Sequence, residues 1–317
     1  MAFLNALPGA VAEGLIWGLM AIGVYISYKI LDIADLTVDG SICTGACVCA
    51  VLLGLGVPAW ISVLAALAAG AATGVVTGLL HTRLGIPSIL AGILTQLMLY
   101  SVNLMILGGK SLVAIDPRAN QLLVHMSRNN GSIVSLVMIA GVTIFLLYQF
   151  FYTEIGLTLK STGDNPDMSR AQGVDVNRNK VVGLAIANGI VAMAGALLAQ
   201  YKGSANINDG RGAIVIGLAA IFIGLAAIFI GLSVSTKIKP NFVVSLMGVI
   251  GGGIIYYIVY NFVILMGLKT DYLKMLSAII VALFLGVPYL KATYFTKYKD
   301  LHPSDLTTKN KGGAGNA

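Results

Sequence analysis

The sequence predicts an all-α polytopic membrane protein with about eight to ten transmembrane helices. Three observations predict it. The 317 residues are 57% hydrophobic and 10% charged, with mean hydropathy +0.89, whereas a soluble domain carries about 25% charged residues. Such a chain cannot solvate its surface in water, so much of that surface must face lipid. Apolar runs near the roughly 20-residue length that covers a hydrocarbon core follow one another along the chain. Between two of them lies one strongly polar stretch, YTEIGLTLKSTGDNPDMSRAQGVDVNRNK at 152–180.

The expected spans are 9–29, 40–56, 58–80, 87–107, 132–152, 181–201, 212–234, 242–264 and 273–290. The second is short and opens on the acidic run LDIADLTVDGS, so a broken or re-entrant helix is expected there. The 38 glycines suit helices that pack closely in lipid. Residues 1–10 lack a basic n-region, so no cleavable signal is expected. A transmembrane domain over 1–290 is followed by a basic tail at 291–317.

Lys and Arg set orientation. With the 152–180 stretch and the tail on the cytoplasmic side, Lys29, Arg83, Lys160, Arg170, Arg178, Lys180 and the tail lysines all fall inside. The side of the N-terminus stays open, because no Lys or Arg precedes Lys29. The net charge of +7 is then positive-inside topology. No basic stripe with interleaved aromatics points to nucleic acid.

Asp35, Thr37, Asp39 and Ser41 are the candidates for a translocation path, because carboxylates inside a bilayer are costly and tend to mark pathways or paired charges. Two blander readings compete: a wet interfacial position near Lys29, or helix capping by Asp35 or Asp39. Cys43, Cys47 and Cys49 lie in one apolar segment with no His nearby in sequence, so they read as small packing residues and no metal site is expected. The outer loops, about 108–132 and 202–212, carry Lys110, Arg118, Arg128, Lys202 and Arg211, candidates for electrostatic docking of a partner. IGLAAIF occurs twice in succession, at 216–222 and 223–229, which keeps Gly217, Gly224 and Gly231 nearly in phase as a packing stripe.

Absences narrow the class. No Gly-rich loop ends in Gly-Lys-Ser/Thr, so this chain is not expected to hydrolyse ATP. No constellation of buried polar groups is visible in the sequence, and the helix cores are nearly uncharged. A proton-driven carrier or channel would instead show paired charges in mid-helix.

Within 152–180, Asp164-Asn165-Pro166 is a turn and helix-start signal, since Asp or Asn caps free amides and Pro suits the first helical turn. A short helix is expected over about 166–173, with Gly173 as its stop. Such a helix fits a groove in a partner; an ordinary solvated connection fits the same residues.

The region 152–201 resembles the coupling region of permease subunits in ABC importers of the branched-chain amino-acid and ribose type. The resemblance is carried by Gly156, Ala171, Gly173, Arg178 and the helix with Gly183, Gly189 and Gly195. ADLTVDGS at 34–41 is similar to the Asp-Leu-Ser/Thr-Val-Gly-Ser stretch after the first helix of that family, with Asp39 an extra acidic residue. The likeness spans roughly 14–290.

The resemblance implies a type II-like ABC importer permease in a bacterial plasma membrane, with its C-terminus cytoplasmic. A cytoplasmic ATPase subunit would hold the ATP and Mg, and Gly156, Asp164, Asn165, Pro166, Arg170, Ala171, Gly173 and Arg178 would couple to it. It also implies an extracytoplasmic solute-binding protein and a second permease copy or a similar subunit. An amino acid is the implied solute. A sugar or nucleoside, and a secondary transporter without an ATPase, remain the alternatives.

Overall fold

The structure is a computed structural model describing residues 2–116, 122–126, 129–234 and 241–265, with positions 275, 278, 279 and 282. Its helices are α1 (Ala2–Tyr25), α2 (Val38–Gly54), α3 (Ala59–Thr82), α4 (Ser88–Ile106), α5 (Asn129–Phe151), α6 (Glu154–Asp164), α7 (Pro166–Ala171), α8 (Val176–Lys202), α9 (Ala213–Val234) and α10 (Phe242–Leu265). Two three-residue strands, β1 (Leu112–Ala114) and β2 (Ser204–Asn206), pair antiparallel with Val113 opposite Ala205. Six segments are long and apolar enough to cross a membrane: Ala6–Ile30, Ala59–Thr82, Ser88–Ile106, Gly131–Phe151, Val176–Lys202 and Phe242–Ile264. Val38–Gly54 and Ala213–Ile228 are apolar but shorter. The expected span at 273–290, apart from positions 275, 278, 279 and 282, and the tail lie outside the described residues.

Helix α8 is the axis of the bundle, buried without interruption from Ala187 to Tyr201. Lipid tails are as apolar as leucine, so helices associate in lipid chiefly where small residues let backbones touch. Helix α3 supplies such a row in Gly70, Gly74 and Gly78, one per turn. A Cβ on Gly74 would overlap the Leu184 carbonyl, and one on Gly78 would stand 2.8 Å from the Val181 Cα. Gly70 abuts Asn188 and Ala192, so α3 runs antiparallel to α8. The heptad glycines of α9 face two partners, Gly217 meeting Met20 and Val24 of α1 while Gly224 meets Gly248 of α10. The side chains around Gly231 lie outside the described residues.

The expected break after the first helix is present. A π-helical turn, Ile26–Ile30, ends the first span. Asp32 then takes a left-handed backbone, φ 54°. Residues 31–37 return along α8 without helical structure, Leu31 packing on Gly183 and Asp35 reaching Asn188. Helix α2 therefore starts about midway along α8 and runs parallel to it, Ser41 meeting Asn188 and Cys49 meeting Gln200. Its 17 residues are short because an extended segment covers the other half.

Candidate functional site

A second break meets the first. Gly203, at φ 68°, closes α8. The chain turns back along α2, where the Cys43 thiol donates to the Ile207 carbonyl at 3.2 Å and accepts from the Gly210 N–H at 3.1 Å. Gly210 sits so close that a Cβ there would overlap the Asp39 carbonyl. Helix α9 begins at this depth and heads toward the end of the molecule that carries 152–180, as its contacts with Met20 and Val24 of α1 and Tyr28 of the π turn show. Helix α2 heads the opposite way, so two helix N-termini converge.

Asp39 joins them. It sits in the first turn of α2 and accepts from the Gly212 N–H at 2.9 Å and the Ile214 N–H at 2.9 Å, the opening amides of α9. Unpaired N–H groups and the positive end of the helix dipole both favour a carboxylate at this place. Beside the junction, a cavity of about 430 Å³ opens between α2, α4 and residues 207–211. Asp39, Gly40, Cys43, Gln96, Tyr100 and Arg211 form part of its wall.

Behind Asp39 lies a buried polar network. The Asn188 amide donates to the Asp35 carboxylate at 2.6 Å and accepts from the Ser41 hydroxyl at 2.6 Å. Ser41 also bonds Thr73 of α3 at 2.8 Å, and Thr37 bonds Thr77 at 2.7 Å. The Thr37 N–H donates to Asp35 at 2.9 Å. Asp35, Thr37, Ser41 and Asn188 are each at most 3% exposed. The network thus pins the non-helical segment to α3 and α8, satisfying polar groups that lipid could not.

The 152–180 stretch folds into two helices rather than one. Thr153 caps α6 through the Gly156 N–H at 3.3 Å, and Gly156 lies against the backbone of Phe150 and Phe151. Leu159 is buried, Gly163 abuts the Ile30 carbonyl, and the Thr162 hydroxyl accepts from the Asn179 amide at 3.0 Å. These contacts seat α6 on the π turn and the start of α8. Asn165 caps α7 through the Met168 N–H at 3.0 Å, with Pro166 in its first turn. Asp175 caps α8 through the Arg178 N–H at 3.0 Å. Met168, Arg170, Ala171 and Gln172 remain exposed, and Arg170 pairs with Asp167 at 3.3 Å.

Residues 9–286 match the family described as branched-chain amino acid transport system / permease component. The chain belongs to this family. It is 35% identical over 286 residues to the tyrosine transport system permease protein of Clostridioides difficile (strain R20291), covering 89% of this chain and 91% of that protein. It is 27% identical over 182 residues to the ribose import permease protein RbsC of Escherichia coli (strain K12), covering 56% of each. The galactose/methyl galactoside import permease protein MglC of Haemophilus influenzae (strain ATCC 51907 / DSM 11121 / KW20 / Rd) is 28% identical over 159 residues, 49% of this chain and 47% of that one. No solved structure matches.

The permease groups the sequence-predicted residues unevenly. Of the path candidates, Asp35, Thr37 and Ser41 belong to the buried network, and Asp39 faces the cavity. Asp35 is 3% exposed, which excludes the wet interfacial position considered for it. A constellation of buried polar groups does exist, contrary to the sequence reading: Asn188, Thr73 and Thr77 sit far from Asp35 in sequence and meet it only through helix packing. The i, i+4 recurrence of Thr73 and Thr77 beside the glycine row was its sequence signal. In the hairpin, α6 was not expected. Asp164 ends α6 while Asn165 does the capping, and α7 stops at Ala171 rather than at Gly173. Gly173 holds φ 81° with open space around it. Among the cations expected to dock a partner, Lys110 is exposed, Lys202 lies 3.8 Å from Asp209, and Arg211 reaches the cavity. Arg118 and Arg128 fall outside the described residues.

Proposed function

We propose that this permease subunit imports an amino acid, driven by ATP hydrolysed in a separate cytoplasmic subunit. The observation that carries this reading is the similarity over 89% of the chain to a permease named for tyrosine transport. The similarity to permeases named for sugars covers 49% and 56% of it, which keeps a sugar as the second reading.

In the mechanism, two permease copies (or this one and a similar subunit) frame the path. The 152–180 hairpin lies on the cytoplasmic side and offers Met168, Arg170 and Ala171 to a groove of the ATPase, which holds the ATP and Mg. Its α6 is seated on Ile30 and its far end leads directly into α8. Movement of the hairpin therefore pulls on the π turn, the non-helical segment and α8 together. Asp39 lies on the solute's route, while Asp35, Thr37 and Ser41 keep the break in register. At the other end, the paired β1–β2 segments with Lys110 and Lys202 meet the solute-binding protein.

The test is ATP-driven uptake by the chain co-expressed with an ABC ATPase and a binding protein encoded beside it. Tritiated L-tyrosine should accumulate in right-side-out vesicles loaded with ATP and D-ribose should not. Accumulation of ribose alone overturns the amino-acid reading, and uptake without any ATPase overturns the coupled mechanism.

A further inference from the structure

One residue in the wall of the cavity beside Asp39 carries a buried side-chain oxygen. Asn103 of α4 lines the cavity and is 1% exposed, and its Oδ1 has no hydrogen-bond partner among the described residues. Buried polar groups in folded proteins are nearly always satisfied, so an orphan at a cavity wall marks a position for a ligand donor. Arg211 lines the same cavity, is exposed, and makes no ion pair among the described residues. The Asp39 carboxylate, held by the backbone amides that open α9, lines the cavity as well. Leu97, Tyr100 and Ile207 add an apolar side.

Together these groups fit a ligand that carries an anion, a cationic donor and an apolar body. We propose that the cavity binds an α-amino acid directly, its carboxylate on Arg211, its ammonium on Asn103 Oδ1 and Asp39, and its side chain against Tyr100 and Leu97. This rests on the amino-acid reading above and deepens it, because selection is then made within the permease as well as by a binding protein. A guanidinium takes a carboxylate in a two-pronged, charge-assisted bond that a neutral sugar cannot supply. The volume of about 430 Å³ lies within the range of small-molecule sites. Rotation of the Asn103 amide presents its oxygen to the ligand.

The experiment is equilibrium binding of tritiated L-tyrosine to the full chain in nanodiscs. Tyramine, which lacks the carboxylate, and 3-(4-hydroxyphenyl)propionate, which lacks the amine, serve as competitors. Arg211→Gln should weaken L-tyrosine roughly tenfold or more and leave tyramine unchanged. Asn103→Leu should weaken L-tyrosine and leave the propionate unchanged. Both variants should fold, since Arg211 is exposed and Asn103 Oδ1 has no bond to lose among the described residues. Wild-type affinity in both variants, or no saturable binding to the unmodified chain, overturns the site. ATP-driven uptake separates this from the importer reading. Uptake without binding to the permease leaves the importer standing and removes the site. Binding without ATP-driven uptake by the assembled complex does the reverse.

Discussion

The Asp35 carboxylate and the Asn188 amide, 153 positions apart, meet at 2.6 Å inside the bundle. The bond ties the non-helical segment 31–37 to the middle of α8, and removing one partner strands the other. Asn188→Leu should therefore destabilise the permease by about 1–3 kcal/mol, the range for leaving a buried polar group without its partner. Asp35→Leu in the same chain should recover part of the loss, because an apolar pair leaves no unsatisfied group. Thermal unfolding of the detergent-solubilised chain reads both. A double variant less stable than Asn188→Leu would show that Asp35 draws its support elsewhere.

Gly74 touches the Leu184 carbonyl, whereas Gly54, near the end of α2, has nothing within 4 Å of a Cβ position. Gly74→Ala should cost about 1–3 kcal/mol through overpacking. Gly54→Ala should be neutral or slightly stabilising through helix propensity. Equal melting temperatures for the two variants would remove the glycine row as the basis of α3–α8 packing.

Asp39 caps α9 from the first turn of α2. Asp39→Ala should cost about 0.5–2 kcal/mol, the range for a lost cap. Asp39→Asn keeps one acceptor oxygen and should lose less stability. Uptake should fall in both, because the charge at the converging N-termini is gone. Normal uptake with Asp39→Asn would limit this residue to capping.

Ala171 is exposed at the end of α7, so Ala171→Trp should change unfolding stability by no more than about 0.5 kcal/mol. It should nevertheless reduce co-purification with the ATPase and separate hydrolysis from uptake. Co-purification and uptake at wild-type levels would mean that α7 is not the docking element.

Gly173 has open space but a left-handed backbone, φ 81°. Substitution there acts through strain rather than crowding. Gly173→Val should cost about 1–2 kcal/mol, and Gly173→Asn should cost less because Asn tolerates that region. Equal losses in both variants, followed by circular dichroism melts, would point to crowding against something else.

Much of the fold was legible because lipid imposes a simple rule: a span must be apolar and long enough to satisfy its own backbone. Spans from 9–29 to 242–264 follow directly from that rule, as does the short second span that opens on Asp35 and Asp39. The Asn165-Pro166 signal was legible for the same kind of reason, since capping is local chemistry. Helix α6 was missed because its amphipathic face has meaning only against Ile30 and Asn179.

The sequence by itself determined the class, the membrane setting, most helix limits and the family resemblance, all of which depend on composition and near neighbours. Only the tertiary structure decided that Asp35 is buried rather than wet, that Asp39 closes a helix beginning 174 positions later at Ala213, and that Asn103 and Arg211 share a cavity. Those outcomes depend on which helix faces meet. In lipid that choice rests on glycine rows and buried polar pairs, whose partners lie too far apart along the chain for any local pattern to name them.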